Sequence, residues 1–370
     1  MTLRYKFRRF LTEKIGLFLP FSNRKDRKRV LLVTEQGEIA GAQIYPFFLY
    51  ERDLARDYAI EVRELPLKML LNGKHRYKTH IDAVCVQTWF TLRPAQLESL
   101  IERIKSAWPE AGIAYFDWFA PADLRYAEVL NPHILAYVKK QIFRDFKEYD
   151  RAVVGDTNMT DYYAKRFQID LPQTKFSIPP GFEQKIILGS GFEYSPPMVR
   201  NLNRAPNLGE RTIDLHARVE AKGVHWYEKM RQEAWTEAAK LDGRFRIAYR
   251  GRVSRRQYFE ELASSKLCFS PFGYGEVCWR DFEAMSTGAL LLKPDMSHLR
   301  LVGDFFRPYE TYIPLSWDLS DLADKVAHYI HHDSERESIA RNAFEFLRDR
   351  YRQKEFLQEI VPLWRSLCVY

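Results

Sequence analysis

Arg280 and Glu283 stand three residues apart in the run CFSPFGYGEVCWRDFEAMSTGALLLKP, with Gly273, Gly275 and Glu276 just before them. Each residue type has a definite use. The rigid donor fork of an arginine suits two phosphate oxygens or a carboxylate. A carboxylate such as Glu276 or Glu283 accepts hydrogen bonds from ribose or sugar hydroxyls. Glycines allow close backbone approach, and the N–H groups at a helix start favour an anion. Together these residues predict a diphosphate-binding turn. The plainer readings are a dipole-stabilised acid at a helix N-terminus and an internal pairing of Arg280 with Asp281 or Glu283. The glycine spacing matches neither the dinucleotide-binding nor the P-loop signature.

Other charged residues fall at the ends of apolar runs. Arg218 follows TIDLHA, with Lys222 four residues on, and Arg250 and Arg252 flank Gly251 after FRIAY. Two basic strand ends beside the glycine turn predict an electropositive crevice. Asp117 in YFDWF, flanked by aromatics at a strand end, has the setting of a catalytic base tuned by partial burial; it can equally cap a turn. Glu38, with Glu35 and Gln36, occupies an earlier strand exit and is the second candidate acid. Asp156 and Asn158 are candidates for lining an interdomain cleft, although Asn158 also suits a helix cap. The nine histidines form no metal motif, and there is neither HExxH nor paired-cysteine spacing. No metal site or resident cofactor is expected; a magnesium ion carried in by a nucleotide is compatible with the sequence.

These residues need elements to hold them. RVLLVT, AIEVREL, IDAVCV and AGIAYFD read as buried strands alternating with amphipathic helices, and HILAYVKKQIFRDFKEY reads as a further helix. A second strand–helix series begins at TIDLHARV and runs through FRIAYRG, KLCFSPF and ALLLKP. That order predicts an α/β chain with two mainly parallel sheets and ligands at their carboxyl ends. At 370 residues the chain is long enough for two domains. The expected division is a leader over 1–29, a first α/β domain over 30–190, a second α/β domain over 191–345, and a terminal helix over 346–370 packing back on the first domain.

The net charge of +8 points to an acidic partner without identifying it. Much of the excess lies in MTLRYKFRRFLTEKIGLFLPFSNRKDRKR, too interrupted by charge to span a bilayer or act as a signal peptide. Its basic amphipathic pattern suits an anionic membrane surface, and a leader packed on its own protein is the alternative. Cys85 and Cys268 sit in apolar runs as reduced core thiols would, which favours a cytoplasmic setting, peripheral at the inner face of the membrane.

The segment GRVSRRQYFEELASSKLCFSPFGYGEVCWRDFEAMSTGALLLKP resembles the donor-binding half of GT-B glycosyltransferases, in particular exostosin-like and spore-maturation-protein-like ones. The resemblance covers roughly residues 212–330. It implies two Rossmann-like domains facing across a cleft, and sugar transfer from a nucleotide-sugar donor to a glycan or lipid-linked acceptor, as in bacterial surface polysaccharide or lipopolysaccharide synthesis. On that likeness Glu283 would contact ribose or donor sugar, Arg280 would neutralise diphosphate, and Arg218 with Lys222 would clamp phosphate. Many retaining relatives have seven residues between two glutamates; Glu276 and Glu283 have six between them.

Rival readings predict features the sequence lacks. A nucleotide-sugar epimerase needs a dinucleotide fingerprint near residues 30–41, and VTEQGEIAG has none. A nucleic-acid-binding protein needs a continuous basic stripe with stacking aromatics, whereas acids and bases alternate along these helices. A non-catalytic nucleotide-sugar binder would share every residue named above and differ only in turnover.

Overall fold

The alternation of VLLV and AVCV sets the first sheet, because successive side chains of a strand point to opposite faces. The computed structural model describes residues 19–73, 77, 79–223 and 225–369. The strands in chain order are β1 (Lys28–Thr34), β2 (Ile60–Pro66), β3 (Ala83–Val86), β4 (Gly112–Asp117), β5 (Ala136–Lys139), β6 (Gln141–Phe143), β7 (Val153–Val154), β8 (Gln173–Thr174) and β9 (Ile186–Leu188). In the second half follow β10 (Ile213–His216), β11 (Ile247–Ala248), β12 (Ser265–Phe269), β13 (Leu290–Pro294), β14 (Leu299–Leu301) and β15 (Ile313–Leu315).

Six strands form the first sheet in the order β2-β1-β3-β4-β5-β9, with all neighbours parallel. One face buries Leu31, Val33, Val84, Val86 and Tyr115 against Leu97, Leu100, Ile101 and Ile104 of the helix Pro94–Ala107. The other buries Val30, Leu32, Cys85, Ala114 and Phe116 against Ile44, Phe47 and the chain's last helices. Both faces being covered accounts for the near-continuous apolar strands. The second sheet, β11-β10-β12-β13-β15, is also parallel throughout.

The halves are joined twice more after the connection at 189–212. β6 pairs antiparallel with β14, laying Gln141–Phe143 of the first half along Leu299–Leu301 of the second. After the helix Asp333–Arg352 the chain crosses back, and Phe356 and Trp364 pack edge-on against Phe47 at ring distances of 5.1 and 5.9 Å. Burying two such aromatics contributes roughly 1.5–3 kcal/mol each, a substantial tether between halves.

One local expectation fails. HILAYVKKQIFRDFKEY is not a helix: AYVK and QIF are strands, followed by the short 3-10 turn Phe146–Asp150. AYVK is wholly buried between β4 and β9, so the vacancy in the sheet outweighs its helical spacing. The basic leader is only partly in view, since residues 1–18 lie outside the described residues. Its end packs on its own protein: Phe21 is buried against Tyr77, and Ser22 donates from N and Oγ to Glu61 on β2. Among the described residues no helix is long and apolar enough to cross a membrane.

Candidate functional site

The turn that links β12 to the helix Trp279–Thr287 lies between the two halves. Asp281 starts that helix: its Oδ2 accepts from the Cys278 N–H at 2.8 Å, and its Oδ1 accepts from Ser270 Oγ at 2.6 Å. Lys293 on β13, as fully buried as Asp281, stands 3.0 Å from the same carboxylate. The helix origin is thereby pinned to two strands. It ends at Gly288, whose φ of +74° and crowding by Pro206 and Leu208 leave no room for a side chain.

On one side of this turn lies a cationic pocket of about 450 Å³ at the carboxyl ends of β10 and β11. Arg218, Lys222, Arg231, Arg252 and Arg280 line it, against one carboxylate, Glu220. Arg280 is deeply placed. Its Nη2 donates to the Arg218 carbonyl at 2.5 Å, while its Nε has no partner. Burial opposes its charge, but Tyr258, Cys268 and Glu283 hold the guanidinium above its ordinary value. Glu283 accepts from the Tyr258 hydroxyl at 2.8 Å, and burial pushes its carboxyl up.

Arg218 is committed elsewhere. Its Nε and Nη2 form a fork on Glu261 at 2.5 and 2.8 Å, and Nη1 donates to the Gly251 carbonyl. It shapes the pocket wall, and little of its donor capacity is free. Lys222, whose side chain is 83% exposed, and Arg252 reach only Glu220. Arg250 points away from the pocket, to Asp242 and the Tyr249 hydroxyl. His216, between these groups, has no hydrogen-bond partner; burial, then Arg280 and Arg218, push it down to about 3, so it stays neutral.

Glu276 faces the opposite way and joins the halves. Fully buried, it accepts from Gln141 Nε2 at 2.7 Å and Asn158 Nδ2 at 2.9 Å, with His298 Nε2 3.7 Å away. Burial works against its charge, yet His298 and Asn158 hold its carboxyl below the usual range. Beside it the Gly275 backbone meets Ala120 of the first half so closely that a Cβ would lie 2.1 Å from the Ala120 carbonyl oxygen. Gly273 donates its N–H to the Gly275 carbonyl, closing the turn.

The two candidate acids of the first half are not brought together. Asp117 has no exposed surface. Its Oδ2 accepts from Lys139 Nζ and Tyr137 Oη, both at 2.5 Å, and its Oδ1 from the Phe119 N–H. That geometry is an anchor between β4 and β5, with three of about four acceptor sites taken and no surface open to an acceptor hydroxyl. Glu38 begins the helix Glu38–Leu49 and is largely exposed in a cleft of about 650 Å³, 3.9 Å from Arg255 of the second half.

Two groups escaped the sequence reading. Lys140, at the carboxyl end of β5, is buried over the Phe192 ring at 4.8 Å with no acceptor for its ammonium; burial, then Lys139, push it down to about 8. His298 is the other, and nothing in MSHLR marked it, because its partners come from three distant segments. Among the described residues no group of three or more His, Cys, Asp or Glu could hold a metal ion.

Residues 198–361 match a family model described as glycosyl transferase-like. Among solved structures, the chain is similar to a glycosyltransferase from Rickettsia africae ESF-5 at 11% identity and a TM-score of 0.51, covering 93% of this chain and 99% of that one. A sucrose-phosphate synthase from Thermosynechococcus elongatus is similar at 12% identity and a TM-score of 0.48, covering 92% and 99%. No curated protein matches the chain by sequence. At such identities likeness is one of fold, which agrees with two parallel sheets meeting across the 271–278 turn. The chain has the GT-B fold, and its residues 198–361 match the glycosyl transferase-like family model.

Proposed function

We propose that the protein transfers a sugar from a nucleotide-sugar donor to a glycan or lipid-linked acceptor. The observation that carries this reading is the cationic pocket, where five basic side chains meet one carboxylate at the carboxyl ends of β10 and β11. As the bond between sugar and diphosphate breaks, negative charge grows on the leaving phosphate oxygens. Fixed guanidinium donors in a partly dry pocket stabilise that charge. Arg280, half-buried and with its buried Nε unspent, is the group best placed to do so. Glu283, with one oxygen held by Tyr258, would offer the other to a ribose or sugar hydroxyl.

The test is a thermal-stabilisation screen against UDP, GDP, CMP, TDP and ADP, with their common sugar conjugates, followed by turnover of whichever conjugate binds. Removing one charge-assisted donor costs about 1.5–3 kcal/mol, so Arg280→Ala should weaken nucleotide binding roughly tenfold to a hundredfold. Lys222→Ala, at an exposed position, gives a fold-neutral check with a smaller loss. Failure of every nucleotide to stabilise folded protein would overturn the reading. Binding without turnover would leave a nucleotide-sugar binder.

A further inference from the structure

The strands of the first sheet have a second end, which no part of the sugar-transfer reading uses. Lys28 opens β1 and Gly112 opens β4, while Asp82 and Leu135 stand just before β3 and β5. These residues line two adjoining grooves, of about 360 and 680 Å³, that share Lys28, His80 and Asp82. The smaller is strongly basic: Arg24, Lys25, Arg27, Lys28 and Arg29 face two carboxylates, Asp26 and Asp82. The larger is apolar along its wall, with Pro109, Ile113, Leu135, Leu367 and Val369.

The chain leading into β1 turns this charge outward. Phe21 packs inward on Tyr77, ring to ring at 5.6 Å, and the Ser22 N–H donates to Glu61 at 3.0 Å. Arg29 reaches back, its Nη2 donating to the Ser22 carbonyl at 3.1 Å. With that segment fastened, Arg24, Lys25 and Lys28 stand exposed. Arg24 pairs with Asp26 at 2.9 Å and Lys28 with Asp82 at 3.2 Å, whereas Lys25 and Arg27 have no ion-pair partner among the described residues. An excess of fixed cations attracts an anionic surface, and each cation held near it adds to the attraction. Leu135 is 48% exposed in the adjoining groove, and Leu19, just before the basic run, is 41% exposed. Cations beside exposed aliphatic side chains suit a lipid headgroup layer, which offers phosphates and an acyl boundary together. Single-stranded nucleic acid calls for stacking surfaces, and no Phe, Tyr or Trp lines either groove.

We propose that this amino pole of the first half is a docking surface for an anionic membrane, with Arg24, Lys25 and Arg27 against lipid phosphates and Leu135 at the acyl boundary. The surface stands independently of the sugar-transfer reading. It also sets an orientation. β1 is seven residues long, so the carboxyl ends of the strands stand roughly 20 Å from the pole. The 271–278 turn meets the first half at that far end, where Gly275 abuts Ala120 just beyond β4. Docking by this pole holds the turn away from the headgroups.

The experiment is co-sedimentation of the full chain with vesicles of phosphatidylcholine, alone or with one-third phosphatidylglycerol, at low and high salt. A triple variant, Arg24→Gln with Lys25→Gln and Arg27→Gln, and the single variant Leu135→Glu are compared with wild type. The expected result is binding to the anionic vesicles alone, weakened by salt and lowered about a hundredfold in the triple variant. Leu135→Glu should lose about tenfold. Melting temperature and any stabilisation by nucleotide should stay as in wild type, which separates this surface from the cationic pocket. If the triple variant fails to fold, Leu135→Glu decides. No binding by wild type, equal binding to phosphatidylcholine alone, or wild-type affinity in the folded triple variant overturns the proposal. Retention of duplex DNA without vesicle binding also overturns it, and would assign the charge to nucleic acid.

Discussion

The carboxylate of Glu276, on the glycine-bearing turn of the second half, accepts a hydrogen bond of 2.7 Å from Gln141 Nε2 on β6 of the first half. With Asn158 on its other oxygen, one side chain fastens the two halves at the 271–278 turn. In the proposed sugar transfer, donor and acceptor would meet between the halves, where exclusion of water strengthens electrostatic contacts.

Replacing Glu276 with Gln tests that fastening. Its carboxyl is held below the ordinary 4.5, so its stabilisation is present above about pH 4.5 and is lost as pH falls through the folded value. Urea unfolding at pH 7 should show the variant weaker by about 1–3 kcal/mol. The gap should close below pH 4.5. A constant gap at every pH would mean that the charge is immaterial.

Asp117 and Lys139 make a sharper distinction between anchoring and catalysis. Breaking a buried pair leaves an uncompensated charge, so Asp117→Asn or Lys139→Met should each cost roughly 3–5 kcal/mol. The double variant should recover part of that loss in denaturant midpoint. If Asp117→Asn kept its stability and lost only turnover, a base role would be restored.

Lys140 carries a pH slope of the same sign as Glu276 but from the opposite cause, a buried charge that destabilises. Its folded value of about 8 lies below the ordinary 10.5, so between them the unfolded chain holds the proton more tightly. Stability should therefore rise as pH increases from about 8 towards 10.5. Lys140→Met should abolish that slope and stabilise the protein at pH 7 by roughly 1–3 kcal/mol. Chemical denaturation at pH 7, 8.5 and 10 reads both effects.

Gly275 tests how closely the halves must approach. In Gly275→Ala the new methyl would fall 2.1 Å from a backbone oxygen of Ala120, and neither side can yield cheaply. We expect a loss of about 1–3 kcal/mol and a more open particle by small-angle scattering. Gly273→Ala is the control, since its Cβ would meet Cys278 Sγ at 3.3 Å and the Gly275 carbonyl oxygen at 3.6 Å. Equal behaviour of the two variants would contradict the close approach.

Much of the architecture could be read from the sequence because it is local and periodic. VLLV and AVCV alternate between two buried faces, so each strand announces its burial without knowledge of its neighbours. The same holds for the helix Trp279–Thr287, stopped by Gly288, and for the placing of Arg280 and Glu283 upon it. What the residues could not disclose is who their partners are. AYVK has helical spacing until a vacancy beside β4 claims it. Arg218 has the position of a phosphate clamp until Glu261, forty-three residues later, takes its fork. Asp117 is a plausible base until Lys139 and Tyr137 occupy its carboxylate. Residue types and spacings determined the two sheets and the cationic turn. Only the tertiary structure decided which charges are spent inside the protein, because ion pairing depends on distances of a few ångströms between segments the chain order leaves far apart.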